Sequence, residues 1–295
     1  MNLAKTLSHI QNIDIKIDEQ LDKYSTMRLK ARGNLVIVKS VDSLKKIIGI
    51  FAQKKYSYRT LGLGANQLLS EKSLDTYIKL DLPFLRNYLD HPRDVYTLPA
   101  SVNLSMLIAH AIKYGLKGWE VFTGIPATLG GAVFMNAGTG LGEIGSLIKK
   151  VRMIDRHGMK KEVFIKDDSF SYRKNNFTSP GDIIFEIDMI HRGFDQNIPK
   201  LIKTYLHKRN KTQPMKEKTC GCIFKNTPSC RAGHYIDIIG LKGMVYHAVR
   251  TSRIHGNFME NTGGANYSDA LFLVENIRKE LELQFGVSFP IEIKT

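Results

Sequence analysis

Cysteine is scarce in this chain: three residues in 295, too few for a disulfide framework and suited to a reducing compartment. No apolar run approaches the roughly 20 residues that cross a bilayer. Residues 1–20, with Lys5, His9, Asp14, Lys16 and Asp18 scattered through them, lack the apolar core of a secretion signal. A cytoplasmic location without membrane insertion is therefore the expectation. There is no internal repeat and no low-complexity segment. The net charge of +15 invites a nucleic-acid reading, yet no helix-turn-helix, zinc-finger or RNP-type pattern accompanies it. The lysines at 149–150, 160–161 and 200–218 carry no interleaved aromatics, so the basic surface suits small anions and nucleic acid is not expected. A Rossmann fingerprint is missing too: Gly62-Leu63-Gly64-Ala65-Asn66 has no third glycine at the required spacing.

What the chain does have is two small-residue segments. Gly118 to Gly138 joins an Ile125-Pro126 turn to Ala127-Thr128-Leu129-Gly130-Gly131-Ala132 and then to Asn136-Ala137-Gly138, almost without charge. Glycine and alanine let the backbone approach a ligand closely, and a helix start turns unpaired N–H groups toward an anion such as a diphosphate. Tight packing of a buried loop explains the same composition. The second segment, Leu61 to Leu68, follows a short strand from Tyr56 to Thr60 and reads as a nest of amides, with Asn66 tolerant of positive φ. Two nests without the Rossmann spacing suggest a nucleotide cofactor held by a different fold.

Mixed α and β elements frame these segments. Leu44, Ile47, Ile48 and Phe51 form a helical stripe within 43–56, and Leu104–Tyr114 repeats the pattern. Residues 94–102 and 182–191 read as strands, and 151–158 with 161–166 as a hairpin. Ile198 to Asn210 reads as a basic helix. A last helix, capped by Ser268, presents Leu271, Val274, Ile277, Leu281 and Phe285 and closes at Gly286. The break near 195–215 divides the chain into 1–195 and 196–295.

Several motifs occur in a telling order. They are Gly62-x-Gly64-Ala65-Asn66, Gly124-Ile125-Pro126 with Met135-Asn136-Ala137-Gly138, Tyr172-Arg173, and Gly221-Cys222-Ile223-Phe224-Lys225-Asn226. Ser252-x-x-His255-Gly256-Asn257-Phe258 follows, and then Glu292. In these the chain resembles the UDP-N-acetylenolpyruvoylglucosamine reductases, the MurB family of peptidoglycan-precursor enzymes, from Tyr24 onward. The resemblance implies an α+β protein. Residues 1–195 would form an FAD-binding region of two α/β lobes of the vanillyl-alcohol-oxidase/PCMH type, and 196–295 an α+β substrate-binding domain. The short passage from Phe177 to Asp182 leaves little room for an inserted loop, as in the family's shorter second subtype. Implied with it are FAD, NADPH as hydride-donating cosubstrate, a UDP-sugar enolpyruvyl substrate, and a place in cell-wall biogenesis. Oligomeric state is not legible.

Such a reduction needs identifiable groups. Hydride reaching the terminal vinyl carbon leaves charge on the conjugated carboxyl group, so a cation and a polarising acid beside it lower the barrier. A further acid must protonate the adjacent carbon. The resemblance assigns the cation to Arg173, whose planar fork suits a carboxylate, with Tyr172 beside it, and the polarising acid to Glu292. An arginine after a strand is otherwise most often a surface residue, and a glutamate on an edge strand often faces outward. Burial of Glu292 among Phe289, Ile291 and Ile293 would favour its protonated form. Cys222 stands where the family carries its proton-donating serine; a thiol, with an ordinary pKa near 8.5, is a stronger acid than a hydroxyl. Lys225 and Asn226 are candidate substrate contacts, with Gln213, Lys208 and Arg209 weaker ones. FAD contacts are assigned to Gly62, Gly64, Ala65, Asn66, Ile125, Pro126, Ala127, Thr128, Gly130, Gly131, Asn136 and Gly138. Three further departures stand out: Ala65 for a serine, Ala127 for a glycine, and Pro290-Ile291 for Glu-Pro before Glu292.

Other readings compete. Cys220, Cys222, Cys230 and His234 offer four zinc ligands, although C-x-C is tighter than zinc spacing usually runs; no metal is expected. An FAD-linked oxidase would share the first half of the chain. A catalytically silent nucleotide-sugar binder would keep the second.

Overall fold

Residues 3–295 are described by a computed structural model. Helix α1 (Leu3–Leu7) leads into strand β1 (Ile13–Gln20), then β2 (Arg32–Val38), helix α2 (Val41–Lys54), β3 (Tyr58–Thr60) and β4 (Thr76–Leu80). These strands form a sheet in the order β1-β2-β4-β3, with β2 and β3 each parallel to β4. Parallel pairing needs a crossover, and α2 supplies it. Ser40 caps the helix by accepting a hydrogen bond from the Ser43 N–H, and Lys55 in the left-handed region ends it. The expected stripe of Leu44, Ile47, Ile48 and Phe51 is fully buried, which stabilises the lobe by about 1.5–3 kcal/mol per side chain. With Val36, Val38, Ile78 and Ile183 it makes the core of the first lobe.

A second lobe follows. Strand β5 (Val95–Pro99) and helix α3 (Leu104–Tyr114) precede helix α4 (Leu129–Phe134), and the strands β6 (Gly138–Thr139) and β7 (Gly142–Glu143) form a small hairpin. Then come β8 (Ile148–Ile154), β9 (Lys160–Phe164), a hairpin of β10 (Phe170–Ser171) and β11 (Lys174–Asn175), β12 (Ile183–Ile190) and helix α5 (Ile198–Thr212). Strands β5, β12, β8 and β9 form an antiparallel sheet in that order. The nearly continuous apolar run of β12 suits its central position, and Arg152 on β8 pairs across to Glu186 and Asp188. Leu98, Leu107, Trp119, Phe122, Leu129, Val151 and Ile187 fill this lobe's core.

The remaining elements are β13 (Thr219–Cys222), helix α6 (Ala232–Ile238), β14 (Val245–Tyr246), β15 (Val249–Thr251), β16 (Phe258–Asn261) and helix α7 (Tyr267–Phe285). Their strands make an antiparallel sheet in the order β13-β16-β15-β14. Helix α7 is capped by Asn266 and not by Ser268. Asn266 accepts from the Asp269 N–H while Asp269 reaches back to the Asn266 N–H, and the Ser268 hydroxyl donates to Asn266 Oδ1. The buried face is Ala270, Leu273, Val274, Ile277 and Leu281, with Leu271 partly buried and Phe285 exposed. Gly286, at φ 64°, ends the helix as expected.

By compactness the chain falls into two units. One comprises the residues up to Asp18, Asn34–Gly62 and Leu74–Leu206; the other comprises Glu19–Gly33, Leu63–Ser73 and His207–Thr295. The units part between Leu206 and His207, within α5, whose buried Ile198 and Ile202 belong to the second-lobe core. Met27, Leu29 and Leu68 likewise belong to the core of the second unit, with Cys220, Phe224, Leu273 and Phe289.

Candidate active site

Within the first unit Gly62, where the Leu61–Leu68 segment begins, meets the start of α4. A Cβ on Gly62 would stand 2.9 Å from Thr128 Oγ1, so glycine is what lets the turn close onto the start of α4. Thr128 caps that helix by accepting from the Gly131 N–H at 3.3 Å. The amides expected to face an anion there are committed elsewhere: Leu129 N–H donates to Val102 O and Gly130 N–H to Ala100 O. A Cβ on Gly130 would lie 2.6 Å from that of Ala100, so packing requires this glycine. Ala127 keeps an ordinary negative φ. By contrast, the main-chain N–H groups of Gly62, Gly64, Ala65 and Asn66 meet no acceptor among the described residues. Such a run of unclaimed donors fits a phosphate-bearing group such as FAD. Gly64, and not Asn66, takes the positive φ, at 61°.

Lys79 adds a cation that the sequence reading passed over. Its ammonium donates to Gly62 O at 2.6 Å. Burial pushes the ammonium's pKa down, with Asp81 pulling it partly back.

Arg173 occupies the second turn residue of the β10–β11 hairpin, at φ 54°. It is no loose surface residue. Its guanidinium donates to Gly138 O at 3.0 Å, to Asn136 O at 3.4 Å and to Glu143 Oε1 at 3.2 Å. The plane also lies over the half-exposed Tyr172 ring, 4.9 Å from its centroid. Asn136, buried and at φ 45°, donates to Glu143 Oε2 and to Ser171 O and accepts from the Gly145 N–H. Glu143 is thus a site residue that sequence reasoning missed. Its signal was available: between Glu120 and Asp155 it is the only carboxylate.

The second unit assembles the other candidates. Cys222 ends β13, half-buried and paired with Phe258, after Gly221 at φ 80°. The following segment runs antiparallel to the C-terminal one: Lys225 N–H donates to Pro290 O and Glu292 N–H to Ile223 O, each at 2.8 Å. Glu292 is half-buried beside the buried Phe289 and Ile293. The same C-terminal segment pairs on its other side with the glycine loop, through Lys294 N–H to Asn66 O and Asn66 Nδ2 to Glu292 O. Cys222, Glu292 and the Ala65-Asn66 amides therefore share one neighbourhood. The amide of Asn257 closes a pair of hydrogen bonds on the Phe224 main chain, at 2.9 and 2.8 Å, and fixes this strip. Asn226 Oδ1 accepts from Ala232 N–H at the start of α6.

The other two cysteines go elsewhere. Cys220 is wholly buried, its thiol pushed up to about 12 by burial, and Cys230 Sγ lies 3.3 Å from the Tyr235 hydroxyl. Among the described residues no cluster of three or more His, Cys, Asp or Glu side chains is arranged to hold a metal ion. His255 serves its turn, with Nδ1 accepting from Asn257 N–H, and Gln213 accepts from Arg209 Nε. Among the described residues no helix is long and apolar enough to cross a membrane.

Residues 34–163 match the FAD binding domain family, and residues 213–295 match the C-terminal domain of UDP-N-acetylenolpyruvoylglucosamine reductase. The reductase of Alkalilimnicola ehrlichii is 35% identical over 232 residues, covering 79% of this chain and 78% of that protein. That of Caldanaerobacter subterraneus subsp. tengcongensis is 30% identical, covering 94% and 92%. The crystal structure of the Thermus caldophilus enzyme (MurB) superposes with a TM-score of 0.80 at 29% identity, over 96% of this chain and 98% of that one. An amide-rich glycine loop in an FAD-binding domain, with a matching C-terminal domain around Cys222 and Glu292, leaves one assignment: the chain belongs to the UDP-N-acetylenolpyruvoylglucosamine reductases, a family of FAD-binding oxidoreductases.

Proposed function

We propose that this protein uses NADPH and FAD to reduce the enolpyruvyl ether of a UDP-N-acetylglucosamine to the saturated ether of UDP-N-acetylmuramate, in the cytoplasm. The observation that carries the reading is the pairing of the Cys222–Asn226 strip with the segment bearing Glu292. An oxidase or a silent sugar binder gives no reason for the segment bearing Cys222 to be paired with the one bearing Glu292.

Bound FAD supplies the hydride chemistry. The amides of Gly62, Gly64, Ala65 and Asn66 would hold its phosphates, with Lys79 as local counter-charge and 125–128, Gly131, Asn136 and Gly138 along its path. Arg173 binds the substrate carboxylate, and Tyr172 flanks it. As hydride arrives at the vinyl carbon, charge accumulates on that carboxyl group, where the guanidinium and the Glu292 carboxyl stabilise it more than they stabilise the ground state. Cys222 then gives its S–H proton to the carbon bearing the ether oxygen and is left as a thiolate, which solvent reprotonates. Lys225 and Asn226 contact the nucleotide-sugar portion.

Anaerobic reoxidation of NADPH-reduced protein by the enolpyruvyl substrate, in a single turnover, tests the proton step. Cys222→Ala is expected to slow it by at least about 100-fold, whereas Cys222→Ser retains substantial turnover. Equal rates for Cys222→Ala and the parent would remove Cys222 from the mechanism.

A further inference from the structure

Glu143 uses both of its carboxylate oxygens, and each serves a different partner. Oε1 accepts from Arg173 at 3.2 Å, and Oε2 accepts from Asn136 Nδ2 at 2.7 Å. The orientation of the Asn136 amide is fixed by its own contacts: Oδ1 takes the Gly145 N–H at 3.0 Å, so Nδ2 must face Glu143 and the Ser171 carbonyl. Glu143 in turn packs against Gly138, where a Cβ would lie 2.9 Å from Glu143 Cγ and 2.4 Å from Gly142 O. Both Asn136 and Arg173 sit at positive φ without being glycine, a conformation that persists where surroundings favour it. The network ties the two residues together through Glu143.

We infer that Glu143 is a positioning residue: it holds the Arg173 guanidinium at a fixed angle and ties it to Asn136, so that the substrate carboxylate meets a preorganised cation. The inference deepens the proposed role of Arg173 and rests on it. A surface ion pair would not serve this purpose, because exposed pairs contribute little. This one is partly buried, with the Arg173 side chain 17% exposed, and two main-chain carbonyls complete the cage around it. The position demands two acceptors. A glutamine there offers one carbonyl oxygen and one NH₂, so it must present a donor either to Arg173 or to Asn136, both of which are donors themselves. Glu143→Gln is therefore nearly isosteric and still breaks one arm of the bridge. An aspartate keeps both acceptors at shorter reach.

The test separates the two half-reactions in the FAD-loaded protein. In Glu143→Gln, reduction of the flavin by NADPH and the flavin absorption spectrum stay at parent values. Reoxidation by the enolpyruvyl substrate slows on the order of 10- to 100-fold, the loss expected for a charge-assisted hydrogen bond, and Glu143→Asp recovers part of it. A double-mutant cycle completes the case: Arg173→Ala slows reoxidation by itself, and adding Glu143→Gln to it changes nothing more. Parent-like reoxidation in Glu143→Gln, or additive losses in the double variant, would overturn the inference while leaving the role of Arg173 standing. Loss of bound flavin or of NADPH-driven reduction in Glu143→Gln would also overturn it, by making Glu143 a cofactor-retaining residue. If Arg173→Ala reoxidises at the parent rate, the role of Arg173 falls, and this inference falls with it.

Discussion

Asn257 offers a sharp test of how the Cys222 strip is built. The side chain is 1% exposed and Phe224 is wholly buried. Asn257 Oδ1 accepts the Phe224 N–H at 2.9 Å and Nδ2 donates to the Phe224 carbonyl at 2.8 Å, while the Asn257 carbonyl accepts Ile223 N–H. The amide therefore stands in for one rung of a strand pair. Asn257→Ala removes both side-chain bonds and leaves a buried N–H and a buried C=O without partners, at about 1–3 kcal/mol each. Partial relaxation brings the expected loss to about 2–5 kcal/mol. In a chain of this size that lowers Tm by roughly 2 °C per kcal/mol, or about 4–10 °C. Hydrogen exchange localises the effect, with faster exchange at 221–225 than in α3 or β12. Asn257→Asp sharpens the argument. It can still accept from Phe224 N–H, but its second oxygen faces the Phe224 carbonyl, which favours the protonated acid. The pKa in the folded state is then raised above the unfolded value of about 3.9. Native protein binds the extra proton in that window, so stability is greatest at low pH and falls as pH rises. Asn257→Asp should thus lie further below the parent at pH 7 than at pH 5. A Tm within 1 °C of the parent for Asn257→Ala, with unchanged exchange at 221–225, would refute the account.

Three more outcomes follow from the geometry. The buried His110 imidazole meets the Tyr96 hydroxyl at 2.9 Å, and burial holds its pKa below the ordinary 6.5. Unfolded chain therefore binds the proton first, and stability should fall as pH drops from above 6.5 through the folded value, a slope that His110→Gln flattens in melts between pH 7.5 and 5. Lys79→Met should weaken FAD binding to apoprotein about 10-fold, or about 1.4 kcal/mol, read by quenching of flavin fluorescence; unchanged affinity would remove Lys79 from the cofactor site. Gly130→Ala, which drives a Cβ to 2.6 Å from that of Ala100, should cost about 1–3 kcal/mol, whereas an equally stable variant would show that α4 can slide from its neighbour.

Much of this was legible in the residues, and the failures have physical causes. The stripes of α2 and α3 and the β8–β9 hairpin emerge where expected, because 3.6- and 2-residue periodicities need only local information. The cap of α7 was misplaced because Asn266 and Ser268 are both good capping residues, and only the reciprocal bond of Asp269 decides between them. The amides at the start of α4 looked like an anion site by composition. They are spent on Ala100 and Val102, distant in sequence, and no local pattern reveals such a commitment. Glu143 escaped for a related reason: its partner Arg173 arrives from another hairpin, thirty residues on. Cys222 and Glu292 were picked out by motif resemblance, and the pairing of the segments that carry them is visible in no local pattern.

The second compact unit takes its core from three stretches of chain, and Met27, Leu29 and Leu68 are among its buried residues. A fragment starting at His207 would thus carry the family's C-terminal domain boundaries yet lack part of its own interior. Excised, it should expose Phe224 and Phe289 to water and aggregate. Supplying 19–33 and 63–73 in trans, or by circular permutation, becomes the condition for studying it alone. The same threading bears on assembly: the stretches of this unit are separated by longer segments than those that interrupt the other, so pulse-labelled hydrogen exchange should find it protected later during refolding.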